Sequence, residues 1–141
     1  MHLIREAQEK DIAGVVIIED MSFPVPWPDF LFRANLGNPG FIVYEDKKNI
    51  LGYAILGTFM DNAHLLSIAV HPEHRRYGIG SFLLKACISI ARCYGYGCIT
   101  LEVREKNLEG QKFYQAHGFK EKEIVPGYYL EDNAVRMYLK I

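Results

Sequence analysis

The hydrophobic rhythm of the chain changes at Val70. Residues 63–70 read as a strand. From residue 81 to 94, Leu83, Cys87, Ile90 and Tyr94 fall on one face of an amphipathic helix. Between them lies a polar, glycine-bearing loop that ends Arg75-Arg76-Tyr77-Gly78-Ile79-Gly80-Ser81. With the β-rich run at residues 98–103, this makes a strand-helix-strand unit over residues 65–103, so a right-handed crossover and parallel strands are expected. Gly78 and Gly80 let the backbone approach a ligand closely. The first amides of the helix have no partners inside it and form a cradle for a pyrophosphate, near the charges of Arg75 and Arg76. The loop lacks the Gly-Lys-Ser/Thr of a Walker motif and the Gly-x-Gly-x-x-Gly of dinucleotide folds. A tight turn with two solvated arginines is the plainer alternative.

The remaining elements are consistent with one α/β domain spanning 1–141. A strand at 2–6 precedes a helix at 9–22. Pro24, Pro26 and Pro28 interrupt regular structure, and a short helix covers 29–36. Strands at 41–44, 50–59 and 63–70 form an antiparallel meander. A helix at 107–117 starts on Asn107 and stops at Gly118. Strands at 119–124 and 134–139 are separated by Gly127-Tyr128-Tyr129. The resulting order, β-α-α-β-β-β-α-β-α-β-β, implies a mixed sheet with helices on its faces.

Composition narrows the function classes. A net charge of −1 offers no basic surface for a nucleic-acid backbone. Cys87, Cys93 and Cys98 are odd in number and lack CxxC spacing, against a disulfide scaffold or structural zinc. They fit a reducing compartment as small apolar residues. No signal-peptide core opens the chain, and the apolar run at 50–60 is too short for a membrane span, so a cytoplasmic protein is expected. His71-x-x-His74 is read as a pair of surface histidines, with no metal.

Several segments together resemble the GNAT acetyltransferase superfamily. Arg75-Arg76-Tyr77-Gly78-Ile79-Gly80 after Ile68-Ala69-Val70 resembles its acetyl-CoA loop. Leu101-Glu102-Val103-Arg104, Asn107 and Phe113-Tyr114-Gln115-Ala116-His117-Gly118-Phe119 resemble its next segment. Pro26-Trp27, Gly127-Tyr128-Tyr129 and Ala134-Val135-Arg136-Met137-Tyr138-Leu139 resemble the RimI group of protein N-terminal acetyltransferases, which modify ribosomal protein alanine. The resemblance implies a GNAT fold whose two parallel strands splay apart around the pantetheine arm of acetyl-CoA. It implies that Ile68, Ala69 and Val70 pair with pantetheine, that the amides of Arg76, Tyr77, Gly78, Ile79, Gly80 and Ser81 hold the pyrophosphate beside Arg75, and that Asn107 contacts the cofactor. Glu102 would be the proton acceptor and Tyr114 the proton donor. Two departures stand out. Asn107-Leu108-Glu109-Gly110 replaces Asn-x-x-Ala, and Val125-Pro126 replaces more polar residues before the paired tyrosines.

The implied chemistry is attack of an amine on the acetyl-CoA thioester. An α-amine has a pKa near 8, so roughly a tenth is neutral at pH 7 and a modest base suffices. No metal and no acyl-enzyme is needed. Strand alternation sets Thr100 and Glu102 on one side and Leu101 and Val103 on the other. On residue pattern alone, Glu102 could be a solvated carboxylate, Tyr114 a core residue and Trp27 a hydrophobic plug. Phe23, Trp27, Tyr128 and Tyr129 are expected to line a peptide cleft. The implied partner is a protein or peptide N-terminus, with the enzyme a monomer or homodimer. Acetylation of lysine or a small amine, and a non-catalytic acetyl-CoA-binding module, are the alternatives.

Overall fold

The computed structural model describes residues 2–141. Seven strands form a single sheet. They are β1 (His2–Glu6), β2 (Phe41–Asp46), β3 (Asn49–Phe59), β4 (Asn62–Val70), β5 (Cys98–Arg104), β6 (Lys120–Tyr129) and β7 (Asp132–Lys140). Their spatial order is β1-β2-β3-β4-β5-β7-β6. Every neighbouring pair is antiparallel except β4 and β5, which are parallel. The meander and the parallel strand-helix-strand unit expected from the sequence are both present.

Helices cover both faces. Helix α3 (Ile79–Cys93) packs on one, where Leu83, Leu84 and Cys87 meet Leu65, Leu101 and Met137. Helices α1 (Ile12–Ser22) and α2 (Asp29–Ala34) cover the other, where Ile12, Val15, Ile18 and Phe32 meet Phe41, Val43, Tyr53 and Ile55. Helix α4 (Leu108–Ala116) sends Phe113 and Tyr114 against the first cluster.

Four of the boundaries that differ from the sequence reading have a local reason. Residues 9–22 are not one helix. A 3-10 turn at Glu9–Asp11 precedes α1, because the buried Asp11 carboxylate accepts from Gln8 N and from Arg5. Helix α3 starts before Ser81, with Gly78 at φ +80° as its cap. Tyr94 becomes the C-cap and is 62% exposed, while Leu84 and Ala91 take the core positions. Strand β6 continues through Gly127, Tyr128 and Tyr129, and a register break between Val125 and Tyr129 absorbs Pro126 and the positive φ of Gly127.

Candidate active site

The site begins where the sheet opens. Strands β4 and β5 pair only from Ala63↔Ile99 to Leu65↔Leu101. On the other edge of β4, Leu65 pairs with Leu56 and Ser67 with Ile55, so Leu66 is an extra residue, a bulge. A bulge bends its strand and ends regular pairing. Beyond it, Ser67–Val70 stays with β3 while β5 stays with β7 as far as Arg104↔Ala134. The two parallel strands part there.

Glu102 stands on β5 just past the parting. Leu101 and Val103 enter the core beneath α3, so Glu102 between them points to the face covered by α1 and α2. Its side chain is 7% exposed, too buried for the solvated carboxylate that residue pattern alone allowed. Oε1 accepts from His64 Nε2 at 2.8 Å and from Tyr128 Oη at 3.2 Å, and Oε2 accepts from Arg136 Nε at 2.9 Å. Burial would raise the carboxyl pKa; the bonds from His64 and Arg136 outweigh burial and hold it below the usual carboxylate value. Glu102 is therefore anionic at neutral pH. A carboxylate only accepts, so His64 carries its proton on Nε2. His64 Nδ1 is hydrogen-bonded to the Thr100 hydroxyl, 2.5 Å away. Arg136 also donates to Glu123 at 2.6 Å.

Tyr114 lies on the opposite side of the sheet. It packs edge-on against Phe113 and Phe119, and burial pushes its hydroxyl well above the ordinary tyrosine value. It keeps its proton at neutral pH. Glu102 and Tyr114 thus flank the sheet from its two faces.

The glycine loop turns sharply into α3. Arg76 takes a left-handed φ of +70° and Gly78 one of +80°, leading into α3. A Cβ on Gly80 would lie 3.3 Å from the Phe113 ring, so this turn sits close against α4. Ser81 Oγ is hydrogen-bonded to His117 Nε2 at 2.8 Å, and His117 Nδ1 donates to Phe113 O. Arg75 is held differently from a free phosphate ligand. Its Nε donates to Val70 O and its Nη2 to Ser22 Oγ, tying the loop to β4 and α1. The Asn107 side chain is used locally as well, capping α4 by accepting from Gly110 N at 2.9 Å. A Cβ at Gly110 would stand 2.6 Å from Asn107 Nδ2, which gives the glycine at this departure a physical reason. The open edge of β4, the left-handed loop and the α3 N-terminus fit a nucleotide-linked thioester.

Phe23 and Trp27 pack, partly buried, on the second core, with the Trp27 ring 5.4 Å from Phe32. They occupy the face to which Glu102 points. Tyr128 reaches Glu102, and Tyr129 stacks edge-on with Tyr128 beneath the Arg104 guanidinium, 4.4 Å above its ring. His71 and His74 are joined by Glu73, with donor atoms within 4.8 Å of one another, a grouping the His-x-x-His spacing hid because Glu73 stood between them. Reading the sequence missed His64 and Arg136. Parallel register sets His64 beside Thr100, and antiparallel register sets Arg136 beside Glu102.

An open parallel seam with a buried carboxylate beside it fits a transferase. The chain matches the acetyltransferase (GNAT) family over residues 12–119. It belongs to that family and is an N-acetyltransferase with the GNAT fold. It is 32% identical to a ribosomal protein bS18-alanine N-acetyltransferase of Haemophilus ducreyi, over 97% of this chain and 99% of that protein. It is equally identical to an uncharacterized N-acetyltransferase of Methanocaldococcus jannaschii, over 98% of this chain and 91% of that one. The crystal structure of the ribosomal-protein-S18-alanine N-acetyltransferase from Escherichia coli superposes with a TM-score of 0.88 at 28% identity, covering 100% of this chain and 94% of the other. Ard1 from Thermoplasma volcanium superposes at 0.92 with 29% identity, covering 99% and 97%.

Proposed function

We propose that the protein moves the acetyl group of acetyl-CoA to the N-terminal α-amine of a protein or peptide in the cytoplasm. A ribosomal protein alanine is the acceptor suggested by its relatives. The observation that carries this reading is Glu102, an anionic carboxylate fixed where β4 and β5 part. Acetyl-CoA supplies the acetyl group as an activated thioester.

Ile68, Ala69 and Val70 would hold its arm along the open edge of β4, and the amides of Arg76–Ser81 its pyrophosphate. Arg75 acts through Val70 and Ser22 as a brace for that loop. Oε1 of Glu102 already takes two donors and Oε2 one, which leaves an acceptor position on Oε2. An incoming amine, or a water beside it, fills that position. The depressed basicity of Glu102 suits a proton that becomes acidic only as the nitrogen bonds to carbon. Tyr114, still protonated, donates to the departing sulfur. Cys87 is buried and its thiol is pushed up to about 12, which favours direct transfer over a Cys87 acyl-enzyme.

Phe23, Trp27, Tyr128 and Tyr129 would line the acceptor cleft. The test is acetyl transfer to short peptides beginning with Ala, Ser, Met or Glu, beside an α-blocked lysine peptide, read by mass spectrometry. Transfer confined to free N-termini is expected. Transfer only to the blocked lysine peptide would move the protein to lysine acetylation.

A further inference from the structure

The mechanism leaves two buried carboxyls unused: Asp11, paired with Arg5, and Glu19. Glu19, on α1, is 2% exposed. Its Oε1 accepts from the Tyr53 hydroxyl of β3, and from Ser67 Oγ of β4 at 3.2 Å. Tyr53 and Ser67 are themselves 3.0 Å apart, closing a triangle. Its Oε2 accepts from Trp27 N at 2.9 Å. Its backbone carbonyl accepts from Phe23 N at 3.1 Å. Helix α1 does not depend on this carboxyl for its packing, because Ile12, Val15 and Ile18 already bury its inner face. The side-chain bonds run instead to three other parts of the chain.

The loop that supplies one of these bonds, from Trp27 N, is short of donors. Between Phe23 and Pro28, prolines occupy 24, 26 and 28, so only Phe23, Val25 and Trp27 carry an N–H. The Glu19 carboxyl takes one of those three, Trp27 N, while its backbone carbonyl takes Phe23 N as the last bond of the helix. The floor that receives the other bonds is Ser67, the first residue past the Leu66 bulge, where β4 leaves β5. A single carboxyl therefore joins the loop bearing Phe23 and Trp27 to the edge of the opening. Burying a carboxyl costs free energy that its partners must offset, so it is a costly choice for packing alone.

We propose that Glu19 is a positioning residue for the acyl acceptor, clamping the 23–27 loop to β3 and β4 so that acceptor affinity depends on it. This rests on the reading of that loop as part of a peptide cleft.

Trp27 is the only tryptophan in the chain, so its fluorescence reports the loop directly. The experiment compares wild type with Glu19→Ala, Glu19→Gln and Tyr53→Phe. It measures Trp27 emission and acrylamide quenching, the acetyl-CoA dissociation constant by calorimetry, and KM and kcat for the preferred peptide. In Glu19→Ala, Trp27 quenching should increase and peptide KM rise by roughly tenfold, the factor for one lost hydrogen bond. Acetyl-CoA affinity should stay unchanged. Glu19→Gln keeps an oxygen for Trp27 N and should recover most of both losses. Tyr53→Phe leaves the carboxyl under-anchored and should fall between. If Glu19→Ala does not fold, Glu19→Gln and Tyr53→Phe carry the same readouts, and an unchanged peptide KM and Trp27 signal in both overturns the proposal. Equal changes in acetyl-CoA affinity and peptide KM would overturn it too, as a general loss of structure. If the wild type acetylates no peptide, the functional reading fails separately, and the quenching data together with KM for the amine it does use decide the role of Glu19.

Discussion

His64 and Glu102 are joined by a 2.8 Å hydrogen bond across the last parallel rungs of the sheet, one residue on each of the two strands that then part. Thr100 fixes the imidazole from the other side, so the ring is held between its own strand's neighbour and the carboxylate it serves. The bond orients Glu102 and helps to keep it ionised.

Glu102→Gln keeps the size of the side chain and removes its charge. Turnover should fall by roughly 10²–10⁴-fold, the range for loss of a general base. Acetyl-CoA binding, measured by calorimetry, should persist. Undiminished turnover would remove Glu102 from the proton path.

Arg136→Met removes the cation that helps to depress the Glu102 carboxyl. With Arg136 in place, the stabilisation from ionised Glu102 is fully present above the unfolded-state pKa and is lost as pH falls through the lowered folded value. Without it the folded value rises toward the unfolded one, so the acid-side loss of stability should become smaller and end at higher pH, and the acid limb of kcat should move to higher pH. Turnover of variant and wild type compared between about pH 4 and 7 tests this. A ratio independent of pH would show that Arg136 does not tune Glu102.

Tyr114→Phe retains the ring packing against Phe113 and Phe119. Stability should change by no more than about 1 kcal/mol, the scale of one hydroxyl hydrogen bond. Turnover should drop by roughly 10²-fold or more if the hydroxyl is the proton donor. Loss of stability without loss of rate would make Tyr114 a core residue only.

Gly110→Ala opposes two effects. Alanine favours the helix by about 1 kcal/mol over glycine, but its Cβ crowds Asn107 Nδ2 and threatens a cap worth about 1 kcal/mol. Little net change in melting temperature is expected. The full helical gain would mean that Asn107 moves aside freely.

Cys93 is exposed, whereas Cys87 is buried with a thiol raised by that burial. Iodoacetamide should label Cys93 first and leave acetyl transfer intact, and EDTA should leave it intact as well. Inactivation that follows Cys87 labelling would revive an acyl-enzyme route.

The sequence was most readable where periodicity and turn chemistry agreed. The strand-loop-helix at Val70 and the caps of α4 are set by glycines, asparagine and local alternation, so the order of elements followed. Side chains meeting through register were not readable. His64 and Arg136 lie 38 and 34 residues from Glu102, and only strand pairing brings them together. Glu19 was hidden for a related reason. An acid next to Asp20 on an otherwise apolar helix gives no sign of Tyr53, Ser67 and a proline-rich loop waiting for its oxygens. Arg75 is expected beside the phosphates from its place next to the glycine loop, and its bonds to Val70 O and Ser22 Oγ are contacts that local sequence does not announce.

Three rungs of pairing between β4 and β5 divide the sheet into two leaves, β1–β4 and β5–β7, stitched at the spine and loose at one margin. A ligand lying in that margin acts as a missing seam. Its binding energy is added to the cohesion of the leaves, about 2.7 kcal/mol at a hundred times its dissociation constant. The supply of cosubstrate would therefore govern how tightly the enzyme is closed as well as how fast it works, and a starved molecule would open first along Ser67–Val70.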